Sequence, residues 1–169
     1  MDAYDAIITR RSIRKFTSEK VTDDQLEAVL KAAMMAPSAG NQQPWHFIVL
    51  QNRSKMDEMT ELHPYVSMIK SASCAIIVLG DTSLEKYPGY WAQDCSAATQ
   101  NMLLAIHSMG LGAVWCGIYP RGDRVEAFRN YFKLPDNIYP LCIIPIGYPA
   151  EEKEPPDRFH ESRIHLDQW

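Results

Sequence analysis

The run Cys74-Ala75-Ile76-Ile77-Val78-Leu79-Gly80 contains no polar side chain and ends on a glycine. A strand with one wet face alternates apolar and polar residues. An unbroken apolar run of this length reads instead as a central strand buried on both faces. Working outward, three further segments carry strand signals. Trp45–Gln51 is rich in aromatic and β-branched residues. Gly112–Tyr119 carries a glycine, Gly117, late in its run, which marks close approach of the backbone to something flat. Tyr139–Gly147 is a further buried strand whose Pro140 and Pro145 lack an N–H, which predicts an edge position or a bulge.

Helices fill the intervals. A short one covers residues 2–9, with Tyr4, Ala6 and Ile7 available for one face. Thr22-Asp23-Asp24-Gln25 has the form of a capping box. The helix it opens runs to about Met35, with Leu26, Val29, Leu30, Ala33 and Met34 spaced as a buried stripe, and Pro37 stops it. Ser54 opens another that ends near His63-Pro64, followed by a helical turn within 65–71. The longest runs from about Tyr90 to Met109, apolar on several faces and stopped by Gly110. Arg124–Phe132 is short. Helices alternating with about four strands place the fold in the α/β or α+β class. From Ala150 the periodicity is lost. This tail carries Pro155-Pro156 but also Phe159, Ile164, Leu166 and Trp169. Those apolar residues predict that it lies along another surface rather than in water.

At 169 residues, 46% apolar and 22% charged, the chain has the makings of one domain with an ordinary core. Cys74, Cys95, Cys116 and Cys142 lie far apart, each in or beside an apolar segment, and read as buried reduced thiols. The five histidines show no metal-ligand spacing, so no metal is expected. No basic-then-apolar leader opens the chain, and no apolar run approaches the ~20 residues of a membrane span. The expectation is a soluble, cytoplasmic protein with no membrane partner. A net charge of −4 and a pI near 5.7 argue against nucleic acid as a partner.

Against that acidic balance stands Arg10-Arg11-Ser12-Ile13-Arg14-Lys15-Phe16. If the stretch is extended, Arg10, Ser12 and Arg14 share one face and Arg11, Ile13 and Lys15 the other. Two guanidinium forks flanking a hydroxyl suit a phosphate, because arginine makes bidentate, charge-assisted hydrogen bonds. The same stretch also reads as a solvated basic turn. Pro37-Ser38-Ala39-Gly40-Asn41-Gln42-Gln43-Pro44 is a loop that could merely join helix to strand. Its Ser38, Asn41, Gln42 and Gln43 both donate and accept, and could read the edge of a heteroaromatic ring or a polyol. The chain has no phosphate-binding G-x-x-x-x-G-K-[ST] and no G-x-S-x-G elbow. Gly110-Leu111-Gly112 follows a helix rather than a strand, unlike a dinucleotide fingerprint. With no nucleophile or acid–base dyad in evidence, catalytic residues in the usual sense are not expected. The protein either is not an enzyme or relies on a cofactor.

Taken together, the basic stretch at 10–16 and the loop into Trp45-His46-Phe47 resemble the nitroreductase family of FMN-dependent oxidoreductases. Gly110–Trp115, Ile146-Gly147-Tyr148-Pro149 and a tail with Pro155, Pro156 and Arg158 follow in the family's order. The resemblance implies an α+β fold with a central, mostly antiparallel sheet flanked by helices. It also implies an intertwined homodimer with FMN at the subunit interface and tails crossing to the partner from about residue 150. By similarity, Arg10, Ser12 and Arg14 hold the phosphate and ribityl chain, with Arg11 nearby and Arg158 adding a cation. Ser38 and Asn41, with Pro37 and Gln43 close by, contact the flavin from the other subunit. Gly117 and Ile118 offer backbone to the ring, with an N–H facing N5. Lys70 is the candidate for the cation that some members place beside the flavin pyrimidine. The implied activity is hydride transfer from NADH or NADPH through FMN to a small-molecule acceptor such as a nitroaromatic or quinone, with ping-pong kinetics. The alternative is an FMN carrier or redox sensor without turnover.

Overall fold

The computed structural model describes residues 1–169. Strand β2 (Cys74–Asp81) is buried along its whole length, as its composition predicts. Its period of two divides it between two cores. Cys74, Ile76 and Val78 face one side, where helices α2 (Asp23–Met34) and α4 (Trp91–Ser108) bring Val29, Ala33, Met102 and Ile106. Ala75, Ile77 and Leu79 face the other, with Met56 and Met59 of α3 (Arg53–Leu62) and Phe128 of α5 (Gly122–Phe132). Helices therefore flank both faces of one sheet.

That sheet runs β1 (Trp45–Leu50), β2 and β5 (Ile138–Gly147), with β3 (Gly112–Ala113) and β4 (Cys116–Gly117) on the far side of β5, and these strand pairs are antiparallel. The arrangement is α+β. Strand β1 (Trp45–Leu50) forms one edge. Strand β5 (Ile138–Gly147) is central, which corrects the expectation of an edge, whereas the expected bulge is present. The register slips between Val78 and Leu79 and leaves Leu141 unpaired with β2, immediately after Pro140. The prolines also explain a second departure. Gly112–Tyr119 is not one strand but two short ladders, β3 (Gly112–Ala113) and β4 (Cys116–Gly117), in a single register on β5. The gap falls opposite Ile144 and Pro145, where the proline has no N–H to offer.

The helix starts follow the sequence closely. Thr22 caps α2 through the Gln25 N–H while the Gln25 side chain returns to the Thr22 N–H, so both halves of the capping box form. Thr22→Ala is expected to cost about 1 kcal/mol, read as a melting temperature lower by about 2–4 °C. Helix α1 (Ala3–Thr9) departs from expectation, because only Ala6 is buried and Tyr4, Ile7 and Ile8 are exposed. Met34 is likewise exposed rather than part of the α2 stripe.

The basic stretch lies along the β3 edge. Ser12 bridges Ala113, Phe16 bridges Pro149, and the Ile13 N–H donates to Ala113 O at 2.9 Å. Ile13 and Phe16 anchor it in the core, and two glycines make room for them. A Cβ on Gly112 would stand 2.8 Å from Ile13, and one on Gly147 2.9 Å from Phe16. Two buried residues three apart mean that strict alternation does not run through to Phe16, because the segment touches the sheet only at isolated bridges. The first part of the tail returns to it. Ala150 N–H donates to Lys15 O, Glu151 accepts the Arg14 N–H at 2.5 Å, and Lys153 Nζ reaches Ser12 O at 2.8 Å. Beyond residue 154 every residue of the tail is exposed. Phe159, Ile164, Leu166 and Trp169 all stand in solvent, with Trp169 fully exposed. No helix is long and apolar enough to cross a membrane.

Candidate functional site

The cations of the N-terminal stretch play two different parts. Arg11 is spent on backbone. Its guanidinium donates to Ile8 O at 2.6 Å, to Arg10 O and to Glu154 O. It thereby satisfies carbonyls that the end of α1 leaves without helical partners. Arg10, Arg14 and Arg158 make no side-chain hydrogen bond or ion pair at all. Burial lowers the pKa of Arg10, and repulsion from Arg11 and then Arg158 lowers it further. Arg158, remote in sequence, is thus brought back to the N-terminal arginines within the same chain. The His107 imidazole at the end of α4 is also held down, by burial first and then by Arg10 and Arg11. Arg14 marks the other end of the basic edge. Its charge pulls the Cys116 thiol down against a burial effect that still leaves it at about 11. Guanidinium groups close to one another and without acceptors suit an oxyanion, which would both pair and neutralise them. The hydroxyl of Ser12, between Arg10 and Arg14 in the sequence, has no protein partner.

Beside Arg14, the edge of β4 is open. Ile118 N–H is taken by Leu141 O at 2.9 Å. Antiparallel pairing alternates, so Gly117 turns its own N–H and C=O to the outer edge. Its carbonyl accepts from His63 Nε2 at 2.8 Å and Arg124 Nη1 at 3.0 Å. A Cβ there would meet nothing nearer than 4.0 Å, so a planar group can approach the backbone. Of the two backbone positions singled out from sequence, Gly117 has the outward amide and Ile118 holds the strand to β5.

The loop before β1 is held by Asp94, which the sequence did not single out, and by Gln42, which takes a different part from the one expected. Asp94 in the first turn of α4 accepts Ala39 N–H at 2.9 Å and Gln42 Nε2 at 2.6 Å. The Gln42 Oε1 accepts Lys86 N–H at 2.9 Å and Tyr87 N–H at 3.3 Å. Gln42 is therefore an internal strut and not a reader of a ligand, and both it and Asp94 are buried. Around this strut Gly40, Asn41 and Gln43 take φ of 53°, 55° and 47°. Left-handed backbone is costly away from glycine and persists where surrounding contacts impose it. Here Ser38 Oγ accepts the Gln43 N–H at 3.0 Å, and the Gln43 amide donates to Asn41 Oδ1 at 3.0 Å. Pro37, Asn41 and Gln43 are exposed and Ser38 partly so. A signal for Asp94 existed, because it is the only Asp, Glu, Lys or Arg in α4. His63 and Arg124 had none beyond their places at helix ends.

The two groups of residues do not meet within one chain. The loop enters β1, and Arg14 and Gly117 lie at β3 and β4, on the opposite edge. Three strand spacings separate the edges, about 14 Å. Lys70 lies elsewhere again. It lines a surface cleft with Thr17, Lys20 and Arg53 at the start of β2, whereas Gly117 is level with Val78, just past its middle.

Comparison with known proteins gives this geometry its context. The Nitroreductase family model matches residues 7–67 and 60–148, which include the basic stretch, the loop and all five strands. A protein of Methanothermobacter thermautotrophicus, provisionally named NADH dehydrogenase/NAD(P)H nitroreductase, is 53% identical over 169 residues, covering 100% of this chain and 88% of its own. A crystal structure from Bacteroides thetaiotaomicron with the same provisional name superposes with a TM-score of 0.93 at 46% identity, covering 99% of this chain and 98% of that one. One from Desulfovibrio desulfuricans, provisionally a nitroreductase and solved in complex with FMN, gives 0.83 at 29% identity over 99% and 98% of the two chains. Since the family model spans most of the chain and identity to a relative exceeds one half over its full length, the chain belongs to the nitroreductase family.

Proposed function

We propose that this protein is an FMN-dependent oxidoreductase that takes reducing equivalents from NADH or NADPH and passes them to a small-molecule acceptor such as a nitroaromatic or quinone. The observation that carries this reading is the basic edge, where Arg10, Arg14 and Arg158 lack any acceptor and Arg14 acts on Cys116, the residue before the outward amide of Gly117. Those residues fit FMN. Arg10, Ser12, Arg14 and Arg158 would hold its phosphate and ribityl chain, and the Gly117 N–H would face the ring. Arg11 would support Arg10 from behind by fixing the end of α1. When bound, FMN supplies the reversible hydride chemistry that no side chain here provides. The chain's own part is to bind and orient the cofactor and to leave one face open, which donor and acceptor use in turn, hence ping-pong kinetics.

In this reading the working unit is a homodimer of single FMN-binding domains, with the cofactor at the interface. Three observations support it. The loop carrying Pro37, Ser38, Asn41 and Gln43 cannot reach the basic edge of its own chain. The α1–α2 surface exposes Tyr4, Ile7, Ile8, Met34 and Met35. The tail past residue 154 exposes four large apolar residues that a partner would cover. The first test is an anaerobic visible spectrum before and after adding NADH or NADPH. Oxidised-flavin bands that bleach are the expected result. Bands that persist would favour a carrier or redox sensor, and a protein that takes up no FMN would end the proposal.

A further inference from the structure

Two side chains from separate elements converge on one carbonyl at the open edge of β4. His63, the residue that closes α3, and Arg124, in the first turn of α5, both donate to Gly117 O, at 2.8 and 3.0 Å. Sheet-edge carbonyls normally leave their bonding to water, so two protein donors on one of them is a built feature. The tautomer of His63 is set as well. Tyr65 N–H donates to its Nδ1 at 3.1 Å, so Nδ1 is the acceptor and Nε2 carries the hydrogen. Burial lowers the His63 pKa, and repulsion from Arg124 adds to that against the opposing Gly117 bond, so the neutral form that this geometry needs is the one favoured. Tyr65 ties the group together. The Arg124 guanidinium lies over its ring at 5.3 Å, and Cys116 Sγ donates to its carbonyl at 3.7 Å. Arg124 Nε is also the one buried side-chain nitrogen or oxygen with no hydrogen-bond partner. Its placement therefore serves the Gly117 carbonyl and the Tyr65 ring ahead of its own full pairing.

We propose that His63 and Arg124 form a two-donor clamp on the Gly117 carbonyl that fixes the direction of the Gly117 amide, which makes them positioning residues for the flavin ring. In a strand the N–H and C=O of one residue point to the same edge, so holding the carbonyl holds the amide beside it. The inference rests on the FMN reading above. An amide facing N5 donates to the oxidised ring, whose N5 accepts, whereas N5 of the reduced ring carries a hydrogen, so a loosened clamp weakens binding of the oxidised form most and makes reduction easier.

The test compares His63→Phe, Arg124→Ala and His63→Gln with wild type in the full-length protein. FMN affinity is measured by flavin fluorescence, and the midpoint potential by anaerobic reductive titration. His63→Phe and Arg124→Ala are expected to raise the Kd roughly tenfold, the equivalent of one good hydrogen bond to a charged group. Both are expected to shift the potential to more positive values. His63→Gln keeps a donor and an acceptor and is expected to stay near wild type in both measures. Folded variants with wild-type Kd and potential would overturn the clamp. Wild type that binds no FMN would instead overturn the functional reading, so the two failures are distinct. Arg124 is only partly buried, so Arg124→Ala folds even where His63→Phe in the core does not, and the result is then read on Arg124→Ala.

Discussion

Arg10→Ala is expected to weaken FMN binding by roughly 30- to 160-fold, the loss of about 2–3 kcal/mol for a charge-assisted, bidentate contact. The expectation rests on an imbalance in the folded chain. Arg10 is partly buried, repelled by Arg11 and Arg158, and paired with nothing. A phosphate carrying up to about two negative charges removes that repulsion as it binds. The same imbalance sets the sign of a second effect. The apoprotein loses no hydrogen bond in this substitution, and its like-charge repulsion is relieved, so its melting temperature should hold or rise slightly. Affinity and stability thus move apart, which a merely structural arginine would not produce. Titrating FMN into the apoprotein and following the quenching of flavin fluorescence gives the affinity. An unchanged Kd would place the phosphate elsewhere. Arg11→Ala should behave in the opposite way. It exposes unpaired carbonyls at the end of α1 and lowers stability first, with affinity following only as Arg10 loses its support.

Asp94→Ala is expected to cost roughly 2–4 kcal/mol of folding stability, because two donors in a buried setting lose their acceptor together. In a protein of this size that corresponds to a melting temperature lower by about 10 °C. Asp94→Asn should recover only part of the loss. An asparagine can still accept the Ala39 N–H, but its amide would then turn a donor toward the donor of Gln42. Gln42 cannot answer by rotating its own amide, since its oxygen is held by Lys86 and Tyr87. Thermal unfolding of the two variants checks the order. A functional consequence follows from where the strut sits. Asp94 holds the segment that keeps Asn41 and Gln43 in left-handed backbone, so its removal frees the loop that the proposed dimer would offer to the partner's flavin. FMN affinity should therefore fall in Asp94→Ala at temperatures where the protein is still folded. Wild-type affinity in that state would mean that the loop's conformation does not matter to binding.

Which parts of this were legible in the chain can be seen residue by residue. The buried strand at Cys74, the capping box at Thr22 and the terminus at Gly110 are local statements. Each is written in consecutive side chains whose periodicity or capping chemistry acts over a few residues. The basic stretch and the polar loop were legible as pieces for the same reason, and their order along the chain carries the family resemblance.

Other features depend on residues that are far apart in sequence and close in space. Arg10 and Arg11 are neighbours of one residue type, yet one is left without a partner and the other is spent on the end of α1. That difference comes from where the helix ends and where Glu154 returns. Pro140 and Pro145 pointed to an edge, but β5 is central, because a bulge and an interrupted neighbour absorb the missing donors. Gln42 has the composition of a ligand contact and the position of a strut. His63 and Arg124 gained their place only when α3 and α5 packed on the same side of the sheet. The sequence by itself determined the elements, the two cores and the chemistry of the two motifs, since burial and capping are decided by nearby residues. Only the tertiary structure decided which polar atoms are already satisfied, because a hydrogen bond depends on ångström-scale geometry between distant segments. It also set the motifs on opposite edges of the sheet, which is why two chains are needed to bring them together in the proposed site.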